Sequence, residues 1–303
     1  MLIKILGSSA GGGLPQINCN CRNCADARGG HPAVRKRTQS CVAVSGDGQR
    51  WTLLNAAPDL RQQIEVTPQL WPPPGAGLRA SPIASIVLTN ADVDHVAGLL
   101  SLREGVVFTL YASETVLAAL AANPIYAVLD AHHVARVPLT LERSLTITGG
   151  LRVEAFPVPG KVALYLESAA PGFGTRTGDT IGLRICDPAS GAAFHFIPGC
   201  AAIDETLAAR LRGSPLVLFD GTLYTDGEMI AQGLSAKTGQ RMGHMAMAGP
   251  QGSITAFASL QVKRRVFVHM NNSNPALRED GPERAEVERA GWEIAWDGME
   301  IEL

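Results

Sequence analysis

Residues 85–100, SIVLTNADVDHVAGLL, place the tightest limits on what this chain can fold into. An apolar, β-branched run containing Ile83, Ile86, Val87 and Leu88 predicts a buried strand. It runs straight into Asn90, Asp92, Asp94 and His95, and apolar residues resume at Val96, as where a packed helix begins. In extended backbone alternate side chains point the same way, so Asn90, Asp92 and Asp94 are expected to face one point with His95 beside them. Three oxygen-bearing side chains and an imidazole at a strand end suit a hard or borderline divalent cation. The competing reading is a helix N-cap with acidic first-turn residues, which stabilises a helix start with no ion.

A second cluster lies upstream. Cys19, Cys21 and Cys24 fall within six residues, and a disulfide among them would be strained and leave one thiol over. Thiolates at this density favour a tetrahedral structural zinc, within a loop over residues 19–31. The fourth ligand must come from elsewhere: His31 is the nearest candidate, and a distant residue brought in by the fold is the other. Gly7, Gly11, Gly12 and Gly13 follow the first predicted strand, but their spacing matches no nucleotide-binding loop. The run Arg35-Lys36-Arg37 reads as a solvated turn.

Beyond residue 100 the pattern alternates helix and strand: a helix over 97–103, a strand over 106–112 and a helix over 113–122. From about residue 145 a second pass begins, so we expect one domain, 1–303, built from two similar halves (about 1–143 and 144–303). Hairpins are predicted around Gly149-Gly150 and around residues 187–191, and WEIAWDGMEIEL should close the chain as another. Cys41 reads as a core thiol, Cys186, His195 and Cys200 sit among apolar neighbours as core or edge residues, and His132 and His133 read as surface or structural. Two more buried strands end in chemistry: LVLFDGT delivers Asp220 and RRVFVHMNN delivers His269. In α/β sheets sites form at strand ends. With only seven histidines in the chain, three such ends point to one shared metal centre. His244, on a glycine-flanked loop, is a candidate proton carrier beside it.

Composition narrows the function classes. The formal net charge of −2 and pI of about 6.4 give no basis for a polyanionic partner such as nucleic acid. No apolar run approaches the ~18 residues of a membrane span, and MLIKILGSS reads as a strand and not a signal peptide, so a cytoplasmic setting is expected.

The opening LIKILGSSAGGG, the 90–95 loop, Asp220 and His269 fall in an order that resembles the metallo-β-lactamase superfamily. The resemblance implies an α/β fold, the four-layer αββα sandwich. The C-x-C-x-x-C insertion, with NAAPDLRQQI, TNADVDHVAGLL and HMNNSNP, is similar to a small branch that serves pyrroloquinoline quinone (PQQ) biosynthesis. Asn90 and Asp92 stand where the superfamily pattern has two histidines, and Pro159-Gly160-Lys161 offers no imidazole where many relatives carry one. Fewer imidazoles and more carboxylates suit iron(II), manganese or magnesium over paired zinc, with copper or a single zinc as further options. His95, His269 and one of Asp92, Asp94 or Asp220 could form a two-histidine, one-carboxylate face, the ligand set of oxygen-activating non-haem iron. The resemblance implies hydroxylation, with O2, of the tyrosine-derived ring of a cross-linked Glu–Tyr precursor. A metal-dependent hydrolase and a carrier for PQQ or its precursor are the alternatives. Expected partners are that small molecule, other proteins of the pathway and a second copy in a homodimer.

Overall fold

The computed structural model describes residues 1–303. The first strands are β1 (Leu2–Gly7), β2 (Cys41–Ser45), β3 (Trp51–Leu54), β4 (Ile83–Val87), β5 (Phe108–Ala112) and β6 (Val134–Pro138). After them come β7 (Ser144–Thr146), β8 (Arg152–Pro157), β9 (Ile181–Cys186), β10 (Ala193–Ile197), β11 (Leu216–Asp220), β12 (Arg264–Val268), β13 (Glu293–Ile294) and β14 (Glu300–Glu302). They make two seven-stranded sheets, ordered β14-β1-β2-β3-β4-β5-β6 and β13-β12-β11-β10-β9-β8-β7. Each sheet obeys the same rule: antiparallel from its β14 or β7 edge as far as β3 or β10, then parallel to the other edge.

Alternation along the strands explains the layering. Val42, Val44, Leu54 and Val87 of one sheet meet Leu183, Phe194, Phe196, Leu218 and Val266 of the other in a core between them. The opposite faces carry their own apolar layers under the helices, one around Leu53, Ile86 and Leu110, the other around Phe219, Phe267 and Trp292. This is the αββα sandwich that the family resemblance implied.

Three local expectations are corrected. The tail is not a hairpin. β13 extends the second sheet beside β12, whereas β14 crosses to pair with β1. Apolar alternation is the same in either arrangement; what separates them is Asp297, which accepts hydrogen bonds from the backbone and hydroxyl of both Ser8 and Thr38 and pins the crossing. Residues 97–103 do not form an α-helix. A short helix α1 (Val93–Val96) passes into a 3-10 turn, Ala97–Leu102, because Gly98 packs so closely on the end of β3 that its amide donates to the Ala56 carbonyl at 2.9 Å. A Cβ on Gly98 would lie 2.1 Å from the Ala57 carbonyl oxygen. Finally, Arg35 and Lys36 are exposed but Arg37 is buried, donating to Ser8 Oγ and to the Ala295 carbonyl.

His195 is the core residue its pattern suggested, its Nδ1 3.0 Å from Ser214 Oγ. Burial, with Arg184 and Arg210 nearby, pushes its imidazole down to about 4 from 6.5. Between those values the unfolded chain binds more protons, so stability present above pH 6.5 is lost as the pH falls toward 4. The loss attributable to His195 reaches about 3 kcal/mol. Chemical denaturation of wild type and His195→Gln at pH 7 and pH 4 checks this. The wild-type advantage should shrink by roughly that amount at the lower pH; an equal gap at both contradicts it.

Candidate metal centre

The parallel strands of the two sheets bring their carboxyl ends together, and the site is built there. After β4, Asn90 Oδ1 accepts the Asp92 amide at 3.0 Å, which fixes both the turn and the orientation of the Asn90 amide. The same oxygen lies 2.7 Å from His95 Nδ1. His95 therefore carries its proton on Nδ1 and presents the lone pair of Nε2. That atom is buried and has no hydrogen-bond partner.

From the other sheet comes His269, directly after β12, held at φ 58° in a left-handed conformation that non-glycine residues seldom adopt. Its Nδ1 sits 2.8 Å from Thr222 Oγ1. That hydroxyl has its own proton engaged by Asp220 Oδ1 at 2.6 Å or by the His269 carbonyl at 3.0 Å, so it accepts from Nδ1. Nε2 of His269 then faces Asp94 Oδ2 at 3.0 Å, one acceptor against another, with His95 Nε2 3.9 Å from the same oxygen. Two acceptors at such a distance need a cation between them, either a proton or a metal ion. The ligand atoms of Asp94, His95 and His269 all lie within 4.8 Å of one another, and the orphaned Nε2 shows that this donor set fits an ion. Burial pushes the His95 imidazole down to about 4 against the pull of Asp94, which leaves it neutral and ready to ligate at neutral pH. Burial alone would raise Asp94, but the adjacent His95 and His269 reverse that and hold the carboxyl well below its ordinary range.

A second triad, Asp220, His244 and His269, has the same compactness. It differs in being satisfied already. Asp220 Oδ1 accepts from the Thr222 amide and hydroxyl, and Oδ2 from the Cys200 amide at 2.9 Å and from His244 Nδ1 at 2.7 Å. Burial opposes both charges, yet each partner supports the other: Asp220 is lowered and His244 raised. Asp220 and His244 thus brace His269 through Thr222, as outer partners of metal-bound imidazoles do. Thr222 was missed from sequence, although Asp-Gly-Thr after a strand is a turn in which the carboxylate bonds its own backbone two residues on. Asp92 lies outside both triads. Its Oδ1 accepts the Leu164 amide at 3.3 Å, and of the three residues expected to face one point only Asp94 comes within ligand distance of both imidazoles.

A β-lactamase superfamily domain matches residues 50–270, from the start of β3 to just past His269. Coenzyme PQQ synthesis protein B of Methylorubrum extorquens (strain PA1) is 51% identical over 303 residues, covering 100% of both chains. The protein of that name from Bradyrhizobium diazoefficiens is 50% identical over 99% of both. The crystal structure of Zn(2+)-bound PqqB from Methylobacterium extorquens matches with a TM-score of 0.95 and 50% identity over the whole of both chains. The chain belongs to the coenzyme PQQ synthesis protein B family. A diphosphatase of the PhnP family shares the fold, with a TM-score of 0.69 at 20% identity over 100% of this chain and 97% of that one. No helix is long and apolar enough to cross a membrane.

The structure of this family member also gathers Cys19, Cys21 and Cys24 into one corner. His31 takes no part; it is exposed, and its Nδ1 accepts the Ala33 amide. The side-chain amide of Asn272 stands there instead, its Nδ2 3.2, 3.5 and 3.3 Å from the three sulfurs. Turned about its terminal bond, that amide offers an oxygen at the fourth corner of a tetrahedron. Backbone amides of Gln16 and Cys21 donate to Cys24 and Cys19 sulfur. Burial opposes a thiolate at both, and the donors outweigh it at Cys19, which is lowered, but not at Cys24, which is pushed up to about 11.

Asn90→Ala should weaken divalent-metal affinity at the active site by roughly 10–100-fold, because the His95 tautomer is no longer fixed. Chelator competition measures this, and unchanged affinity contradicts the role given to Asn90. Asn272→Ala should lower the zinc content of the thiol corner; full zinc occupancy in metal analysis would overturn its place there.

Proposed function

We propose that this chain is a metal-dependent oxygenase of PQQ biosynthesis, acting in the cytoplasm, that uses O2 to hydroxylate the tyrosine-derived ring of the cross-linked Glu–Tyr precursor. The observation that carries this reading is the donor set: two imidazoles and one carboxylate, Asp94, His95 and His269, with a free lone pair already aimed into the seat. Asp94, His95 and His269 would hold iron(II), which would supply the activation of O2.

The chain's own residues prepare that seat. Asp94 stays anionic and His95 neutral, the forms that ligate. Thr222 and Asp220 fix the ring of His269, and Asn90 fixes that of His95. The Nδ1–H of His244 is held by Asp220, which also raises the imidazole, so Nε2 is the atom that would take a proton from the ring substrate or give one to it. Residues 164 and 165 are tied to the loop that leads to Asp94, the Leu164 amide donating to Asp92 and the Tyr165 hydroxyl to the Ala91 carbonyl at 3.0 Å.

One observation favours a second reading. Asp220 and His244 form a further triad that shares His269, and two ions there would serve hydrolysis by an activated water.

Protein prepared without oxygen, loaded with iron(II) and mixed with the cross-linked precursor, should consume O2 and yield a hydroxylated ring, and Asp94→Ala should do neither. Phosphodiester cleavage without O2 uptake selects the hydrolase. Absence of both, with precursor bound tightly and unchanged, leaves a carrier.

A further inference from the structure

Between β8 and β9 the chain makes a long strap over the metal centre, and one ion-pair cluster latches it. Glu167, on the strap, meets Arg241 in a bidentate pair, with contacts of 3.1 and 2.8 Å, and its Oε1 lies 3.2 Å from Lys161 Nζ. The strap carries the anion. Lys161 stands at its root, and Arg241 belongs to the short helix Gly239–Met242 that leads into His244. The seat adjoins the centre on both sides: the Lys161 side chain packs on Gly243, next to His244, and the strap's Leu164 bonds Asp92. The Arg241 guanidinium also lies 3.6 Å from the centre of the Phe173 ring.

The chemistry of this seat is that of carboxylate recognition. A planar guanidinium fork takes both oxygens while an ammonium takes one of them again. Two cations meet one carboxylate, so the seat keeps an excess positive charge with Glu167 in place. Arg241 first, then Lys161, hold the Glu167 carboxyl down at about 2, which keeps it anionic at every working pH. Besides the Leu164 and Tyr165 hydrogen bonds and the Phe173 ring on Arg241, the outer strap is held by little buried apolar surface, for Leu164, Tyr165, Leu166 and Phe173 are exposed. Segments with so little buried apolar surface open at low cost.

We propose that Lys161 and Arg241 form the subsite that takes a carboxylate of the substrate beside the metal centre, and that Glu167 is the strap's own carboxylate, holding the subsite until substrate displaces it. The exchange swaps one carboxylate for another, so the cations are never left bare and the strap is freed in the same step. The inference rests on the functional reading above for its substrate, and on geometry alone for its chemical class.

The test measures binding to metal-loaded protein by PQQ, a tricarboxylic acid, by its trimethyl ester, and by citrate. Hydrogen exchange over residues 164–174 is followed in parallel. The acid should bind, and the ester about tenfold or more weaker. Arg241→Gln and Lys161→Met should each weaken the acid by a similar factor and leave the ester unchanged. Glu167→Gln should tighten the acid several-fold and speed exchange of the strap amides with the remaining amides as protected as before. Equal binding of acid and ester, or no effect of Arg241→Gln and Lys161→Met on the acid, overturns the subsite while leaving the functional reading intact. If citrate alone binds, with the same dependence on Arg241 and Lys161, the subsite stands and PQQ chemistry falls. If neither binds even to Glu167→Gln, or the strap exchanges no faster in that variant, the proposal fails.

Discussion

Asp94 and His269 are separated by 175 positions in the chain, yet their side chains meet at 3.0 Å. Everything else in the site depends on that contact. It joins the two sheets at the carboxyl ends of their parallel strands, with Asp94 in α1 just beyond β4 and His269 directly after β12. A carboxylate placed there loses most of its hydration, and a buried charge is tolerated only where a counter-charge meets it. An ion at the seat satisfies the carboxylate and the unpartnered Nε2 of His95 together. Seen this way, the strained φ of His269 is a local cost of aiming its ring across the interface.

One segment serves both sites. Residues 269–272 leave β12 with His269 pointed at the active centre and Asn272 pointed at the three sulfurs. Asn23, within the cysteine loop, donates to the carbonyls of Asn272 and Asn274, each at 2.9 Å, so the thiol corner grips the same stretch of backbone. A zinc held at that corner would stiffen the segment that positions His269. The two clusters are in that sense one construction: the upstream loop braces the downstream ligand.

Much of the fold was legible because it follows from periodicity. The strands ending near Asp94, Asp220 and His269 are short buried runs, and the hairpins around residues 149–150 and 187–191 lie where glycine and aspartate mark turns. The family resemblance supplied the sandwich. What could not be read were features fixed by contacts distant in sequence. Alternation predicted that Asn90 and Asp92 would line up with Asp94, but the Asn90 side chain folds back to its own turn and to His95, and Asp92 turns to the strap. Asn272, Thr222 and Arg37 acquire their roles only when residues tens or hundreds of positions away arrive. The split of the tail between two sheets is of the same kind: nothing in WEIAWDGMEIEL says that Asp297 will be held by Ser8 and Thr38.

The central claim is that a single ion sits among two imidazoles and one carboxylate drawn from both sheets. X-ray absorption at the iron edge of protein reconstituted with iron(II) addresses it most directly, because ring scattering counts imidazoles and light-atom scattering separates oxygen from sulfur. The spectrum should show two imidazole rings, a remaining shell of oxygen only, and the loss of one ring in His269→Ala. A sulfur shell, or a ring count unaffected by removing His269, would contradict it.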